Sequence, residues 1–126
     1  MEKQEKTTEQ TMDSQKGKLN ILWTTANKET VINMIAMYSS TSLKYEWWSE
    51  VNVIIWGASA KLIKEDVEIQ KVVLEMINNG VNVGACLACA DKYDATETLK
   101  NMGIDVKYMG QPLTDIIKKG EKLITL

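Results

Sequence analysis

The feature that most constrains this chain is a repeating alternation of short apolar runs with segments of helical periodicity. Leu19-Asn20-Ile21-Leu22-Trp23 is a strand-like run ending in Thr24-Thr25. Val31, Met34, Ile35 and Tyr38 then fall at helical spacing behind Asn27, a residue type that caps helices. Val51-Asn52-Val53-Ile54-Ile55-Trp56 predicts a second strand closed by Gly57. One long helix follows, with Ile69, Val72, Val73, Met76 and Ile77 on one face and Asn79-Gly80 as its stop. Val81 to Ala85 predicts a third strand, and Ala95, Leu99 and Met102 a helix stopped by Gly103. Ile104 to Tyr108 predicts a fourth strand. Pro112 opens a short helix in its first turn, Gly120 ends it, and Lys122 to Leu126 predicts a fifth strand. Strand and helix in alternation require parallel pairing through crossover helices. Right-handed crossovers on both faces then give an α/β fold, a three-layer α/β/α sandwich around a five-stranded parallel sheet.

The chain has 126 residues, enough for one domain that buries about two-thirds of its unfolded surface without a disulfide or metal staple. Residues 1–18 are polar, mixed in charge and without periodicity, and read as a flexible tail; 19–126 form the domain. The tail has no apolar core, so it is not read as a secretory signal, and no run is long enough for a membrane helix. The expected location is the cytoplasm, where two cysteines stay reduced by default.

What is missing narrows the chemistry. The sequence contains no His and no Arg. That excludes histidine-based nucleophilic catalysis and imidazole zinc sites within one chain, and it excludes guanidinium clamps on anions. Fifteen basic residues against seventeen acidic ones leave a net charge of −2, which argues against nucleic acid as a partner. No metal site and no cofactor is expected. Neither a P-loop nor a Gly-x-Gly-x-x-Gly fingerprint is present.

In a parallel sheet the working surface lies at the carboxyl ends of the strands. Four loops meet there: Trp23-Thr24-Thr25, Trp56-Gly57-Ala58-Ser59, the segment starting at Cys86, and Met109-Gly110-Gln111. Cys86 and Cys89 sit where the third strand passes into a helix, so unpaired amides favour the thiolate of Cys86. Such a thiol can take a sulfur atom as a persulfide. The same Cys-x-x-Cys spacing fits a thiol–disulfide redox pair, and free cysteines also serve as small buried hydrophobes. Gly57, Ser59 and Lys61, with Thr25 nearby, form a candidate anion or substrate-binding set for thiosulfate, sulfite or phosphate. A plain strand-to-helix turn with Ser59 as the cap accounts for the same residues. Trp47-Trp48 cannot both face one core, so at least one belongs to a surface or an interface.

The whole pattern resembles the DsrE/DsrF/TusD-like sulfur-relay family, in particular a small DsrE-like subgroup. The resemblance spans Leu19 to Leu126. It is carried by Leu22-Trp23-Thr24-Thr25, Trp47-Trp48, Val53 to Leu62, Ala85-Cys86-Leu87-Ala88-Cys89-Ala90-Asp91-Lys92-Tyr93 and Tyr108 to Thr114. Ala58 stands where proline is usual in that pattern, and Asp94 where glycine is usual. The resemblance implies a homo-oligomer, a trimer or hexamer. It also implies a persulfide on Cys86, passed between sulfur donor and acceptor proteins or drawn from small sulfur anions, with Cys89 matching a second cysteine of the subgroup.

Overall fold

The computed structural model describes residues 17–126. The tail expected over residues 1–18 therefore lies outside the described residues, except for its last two. Those two belong to the fold: the first strand begins at Lys18, and the Gly17 carbonyl accepts a hydrogen bond from the Ser49 amide at 2.8 Å.

Five strands, β1 (Lys18–Trp23), β2 (Glu50–Ile55), β3 (Asn82–Cys86), β4 (Asp105–Lys107) and β5 (Lys122–Thr125), form one sheet in the order β4-β3-β2-β1-β5. Every pairing is parallel. The connections β1 to β4 all step in one direction across the sheet. The last, from β4 to β5, returns across its full width. With right-handed crossovers, the first three sets of helices lie on one face and the last helix on the other. The α/β/α sandwich is thus lopsided.

Helix α1 spans residues 28–44. It opens as an α-helical turn (Lys28–Thr30), widens into a π-helical stretch (Val31–Ala36) and closes as an α-helix (Met37–Lys44). Asn27 caps it as expected, accepting from the Thr30 amide at 2.8 Å. The π-helical stretch is a departure from the expected simple helix. It still buries Val31 and Ile35 and leaves Met34 outside.

The single long helix expected after β2 is two helices, α2 (Ala58–Glu65) and α3 (Val67–Asn78). Asp66 breaks the run. Its backbone is extended, and its carboxylate accepts from the Ile69 amide at 3.1 Å, so it starts a new helix instead of continuing the old one. The region after β3 likewise divides into α4 (Leu87–Lys92) and α5 (Thr96–Asn101), with Asp94 in the left-handed region at φ 55° between them. The last helix, α6 (Gly110–Lys118), carries Pro112 in its first turn.

The main core lies between the sheet and α1 to α5. Ile21, Trp23, Val53 and Ile55 of the central strands meet Ile35, Ile63, Ile69, Val73 and Leu99 of the helices, all fully buried. Their strand positions alternate, as a sheet face requires. The opposite face has a smaller cluster of Ile54, Cys86 and Met109, flanked by Leu22, Trp56, Cys89 and Ile116. Trp48 packs against the main core and donates from Nε1 to the Tyr38 hydroxyl at 3.1 Å. Trp47 remains 52% exposed, stacked on Tyr45 at 5.9 Å between ring centroids. The adjacent tryptophans therefore divide between core and surface.

Candidate functional site

Cys86 is the last residue of β3 and the residue before α4. Its extended backbone (φ −73°, ψ 120°) aims the side chain at the face covered by α6, where it is only 5% exposed. Ile54, Met109 and the partly buried Ile116 pack around it. Burial of this kind penalises a charged sulfur. Against it stand the backbone N–H groups of Cys89, Met109 and Ala88 and the Cys89 thiol, all of which favour the anion. These donors outweigh burial and hold the Cys86 thiol below the ordinary cysteine value. Two of the amides come from the first turn of α4, and the third comes from the residue before α6. The anionic sulfur is therefore stabilised chiefly by backbone amides from two separate loops, with the Cys89 thiol beside them.

Cys89 behaves in the opposite sense. Burial pushes its thiol up. The Gly57 amide and the more distant Lys92 cation draw it down, but the neighbouring Cys86 sulfur raises it, both as hydrogen-bond acceptor and as charge. Cys89 is also the more accessible of the two thiols. The pair thus divides into a buried sulfur that prefers to be an anion and a half-buried one that prefers to keep its proton. Both are free thiols.

Of the candidate anion set, only Gly57 takes part. Its backbone sits at φ 69°, ψ −133°, which directs its amide toward Cys89 and suits glycine. Ser59 is fully buried. Its hydroxyl donates to the Trp23 carbonyl at 2.7 Å and accepts from the Trp56 amide at 3.0 Å, tying β1 to the turn after β2. It has no capacity left to meet an anion in a cleft, and the residue capping α2 is Gly57. Lys61 is exposed on α2, and the cation that acts on Cys89 is Lys92. Thr25 closes a turn: its hydroxyl accepts from the Asn27 amide at 3.0 Å and its amide donates to the Leu126 carbonyl at 3.1 Å.

Met109 and Ala88 are the contributors that the sequence did not single out. Met109 lies in one of the four loops expected at the carboxyl edge, but a backbone amide leaves no trace in residue type. Among the described residues, no three Cys, Asp or Glu side chains gather as a metal ion would require.

The fold and the thiol pair together define a class: a small parallel α/β protein with a Cys-x-x-Cys pair at the end of its third strand. The chain belongs to the same family as the conserved protein of unknown function BT1422 from Bacteroides thetaiotaomicron. The two are 46% identical and superpose with a TM-score of 0.85, over 86% of this chain and 94% of that one. The chain matches no family model and no curated protein.

Proposed function

We propose that the protein carries sulfur on Cys86, as a persulfide taken from a donor and passed to a partner thiol. The observation that carries this reading is the convergence of the Ala88, Cys89 and Met109 amides on one sulfur, with a second thiol beside it. Backbone donors aimed at a sulfur stabilise both a thiolate nucleophile and the anionic outer sulfur of a persulfide.

The transfer is redox-neutral. The Cys86 thiolate attacks the terminal sulfur of a donor persulfide; the Sγ–S bond forms, the donor S–S bond breaks, and the donor thiolate leaves with the electron pair and takes up the proton. An acceptor thiolate then attacks the same outer sulfur and regenerates the Cys86 thiolate. Alternatively Cys89, once deprotonated, attacks Cys86 Sγ, hydrosulfide leaves, and a Cys86–Cys89 disulfide remains until an external dithiol reduces it. The sequence resemblance to sulfur-relay proteins points the same way. Under this reading the protein works in a reducing compartment and as a homo-oligomer, for which the exposed Trp47 and Tyr45 pair offers an apolar surface.

The test is intact mass of the reduced protein after incubation with inorganic polysulfide or thiosulfate. Wild type gains sulfur, localised to Cys86, and Cys86→Ser does not. No gain on wild type, or equal gain on both, refutes the reading.

The influence of each thiol on the titration of the other favours one further reading, a thiol–disulfide redox module. It requires both cysteines and a reversible two-electron couple. A redox titration that leaves the pair reduced across the cellular range removes it.

A further inference from the structure

We propose that α1 is the interface of a two-fold dimer, packed antiparallel against α1 of a second copy of this chain. That interface gives the homo-oligomer of the sulfur-transfer reading a surface and a symmetry, and it needs none of the sulfur chemistry.

The inner side of α1 seats Val31 and Ile35 in the main core. Its outer side is not the polar face of an ordinary surface helix. Met37, near the middle of that side, is 57% exposed, and Met34 is 37% exposed. Where the helix ends, Tyr45 is 59% exposed and stacks on the half-exposed Trp47. Steps of four residues lead from Met37 through Thr41 to Tyr45, so these side chains follow one stripe.

The aromatic end of the stripe is ordered before any partner arrives. The Trp47 amide donates to the Ser42 carbonyl at 2.8 Å. The Trp47 ring lies 6.1 Å from the Tyr38 ring, whose hydroxyl is held by Trp48. Lys44 Nζ sits 5.5 Å above the Tyr45 ring. A surface already fixed loses little freedom on binding, and Trp and Tyr are the residue types that dominate interface energy.

The area suits a dimer. A whole aromatic side chain offers about 150–250 Å², so Met34, Met37, Tyr45 and Trp47 together expose about 400 Å². A stable interface covers about 800 Å² on each protomer, of which about 60% is apolar. The stripe supplies most of that apolar share, and the polar residues beside it, such as Asn33 and Thr41, supply the rest.

The charges select a second copy, and they select its direction. Glu29 lies in the first turn of α1 and Lys44 in the last. Both are exposed, and neither forms an ion pair with any of the described residues. Met37 stands between them, about 10–12 Å along the axis from each. A two-fold axis through Met37 therefore brings Met37 onto its own image and Glu29 of each protomer to Lys44 of the other. Parallel packing would set glutamate on glutamate and lysine on lysine. Methionine suits the axis, because its flexible side chain adapts to its own copy. The thiol pair belongs to the small cluster on the opposite face of the sheet, so both sites stay open in the dimer.

Sedimentation velocity of the full reduced chain at micromolar concentration tests the interface. Wild type is expected to run at twice the 14.2 kDa of one chain. Met37→Glu, at an exposed position, is expected to give monomers with an unchanged urea midpoint. Glu29→Lys and Lys44→Glu are each expected to raise the dimer Kd about tenfold, since each turns two ion pairs repulsive at once. An equimolar mixture of those two variants is expected to recover wild-type affinity, because every lysine then faces a glutamate. A monomeric wild type, or an assembly of any size that Met37→Glu leaves whole, overturns the interface. Charge reversals without effect overturn its antiparallel direction. Cys86 of the Met37→Glu variant is expected to load sulfur at the wild-type rate, so the interface and the sulfur-transfer reading fail separately.

Discussion

At the scale of single residues, the site is an argument between burial and backbone amides over two sulfurs. Against burial, backbone amides and then the Cys89 thiol lower Cys86; burial first, and then the Cys86 sulfur, raise Cys89. The rate of alkylation at Cys86 is expected to rise with a midpoint below the ordinary thiol value, and that of Cys89 with a midpoint above it. Cys89→Ala removes a donor from Cys86, so the Cys86 midpoint moves up. Cys86→Ala removes a repelling sulfur, so the Cys89 midpoint moves down. Peptide mapping of alkylation against pH reads all four. The same shifts have a sign in stability. Cys86, lowered in the fold, contributes stability above the unfolded thiol value, and that contribution is lost as pH falls through its folded value. Cys89, raised in the fold, contributes below the unfolded value and loses its contribution as pH rises through its folded one. Gly57 is the second residue-scale lever. A Cβ there meets nothing within 4 Å, so Gly57→Ala costs the strain of a φ 69°, ψ −133° backbone that favours glycine, about 1–3 kcal/mol. A fall in the urea midpoint at unchanged slope checks it. The cysteine pair was legible in the sequence because thiols at a strand end are visible as letters. The Met109 amide was not, because any residue but proline supplies one.

Helices and their ends show what local sequence can and cannot convey. Asn27 caps α1 as its residue type suggests, and Asn27→Ala is expected to cost about 1 kcal/mol, read from the thermal midpoint. Gly57 occupies the cap of α2, and Ala58 is its first residue. Proline suits that position, since the amide there has no helical partner and the ring presets φ. Ala58→Pro is therefore expected to raise stability by about 0.5 kcal/mol, chiefly by restricting the unfolded chain, and the urea midpoint reads it. Asp94 adopts φ 55°, a conformation in which glycine is free of strain, and pairs with Lys64 at 3.2 Å. The break at Asp66 escaped the periodicity because the apolar spacing of α3 runs smoothly into the polar stretch before it. Only the extended backbone at Asp66, also held by the Lys28 ammonium at 3.0 Å, separates the two helices. The π-helical stretch of α1 escaped for a related reason: its buried residues keep a spacing that an ordinary helix would also show.

For the whole molecule, the lopsided sandwich makes local stability uneven. The central strands β1 and β2 are covered by the main core, whereas α6 contains no fully buried residue and β4 is three residues long at an edge. Hydrogen exchange should therefore be slowest in β1 and β2 and fastest in α6 and β4, since local opening follows buried contact. Equal protection of α6 and β1 would contradict this. Met109 and Ile116, which cover Cys86, come from that less protected side, so opening there would expose the thiol. The sequence by itself determined the layers: strand and helix alternate by periodicity, and parallel pairing with right-handed crossovers follows from chain connectivity. It also determined which atoms could be nucleophiles, because only two thiols are present and no imidazole. The tertiary structure alone decided the rest. Strand order placed one helix against the second face, and brought the Met109 amide to Cys86 and the Gly57 amide to Cys89. Those contacts join residues far apart in the chain through backbone groups and register, and neither leaves a local pattern to read.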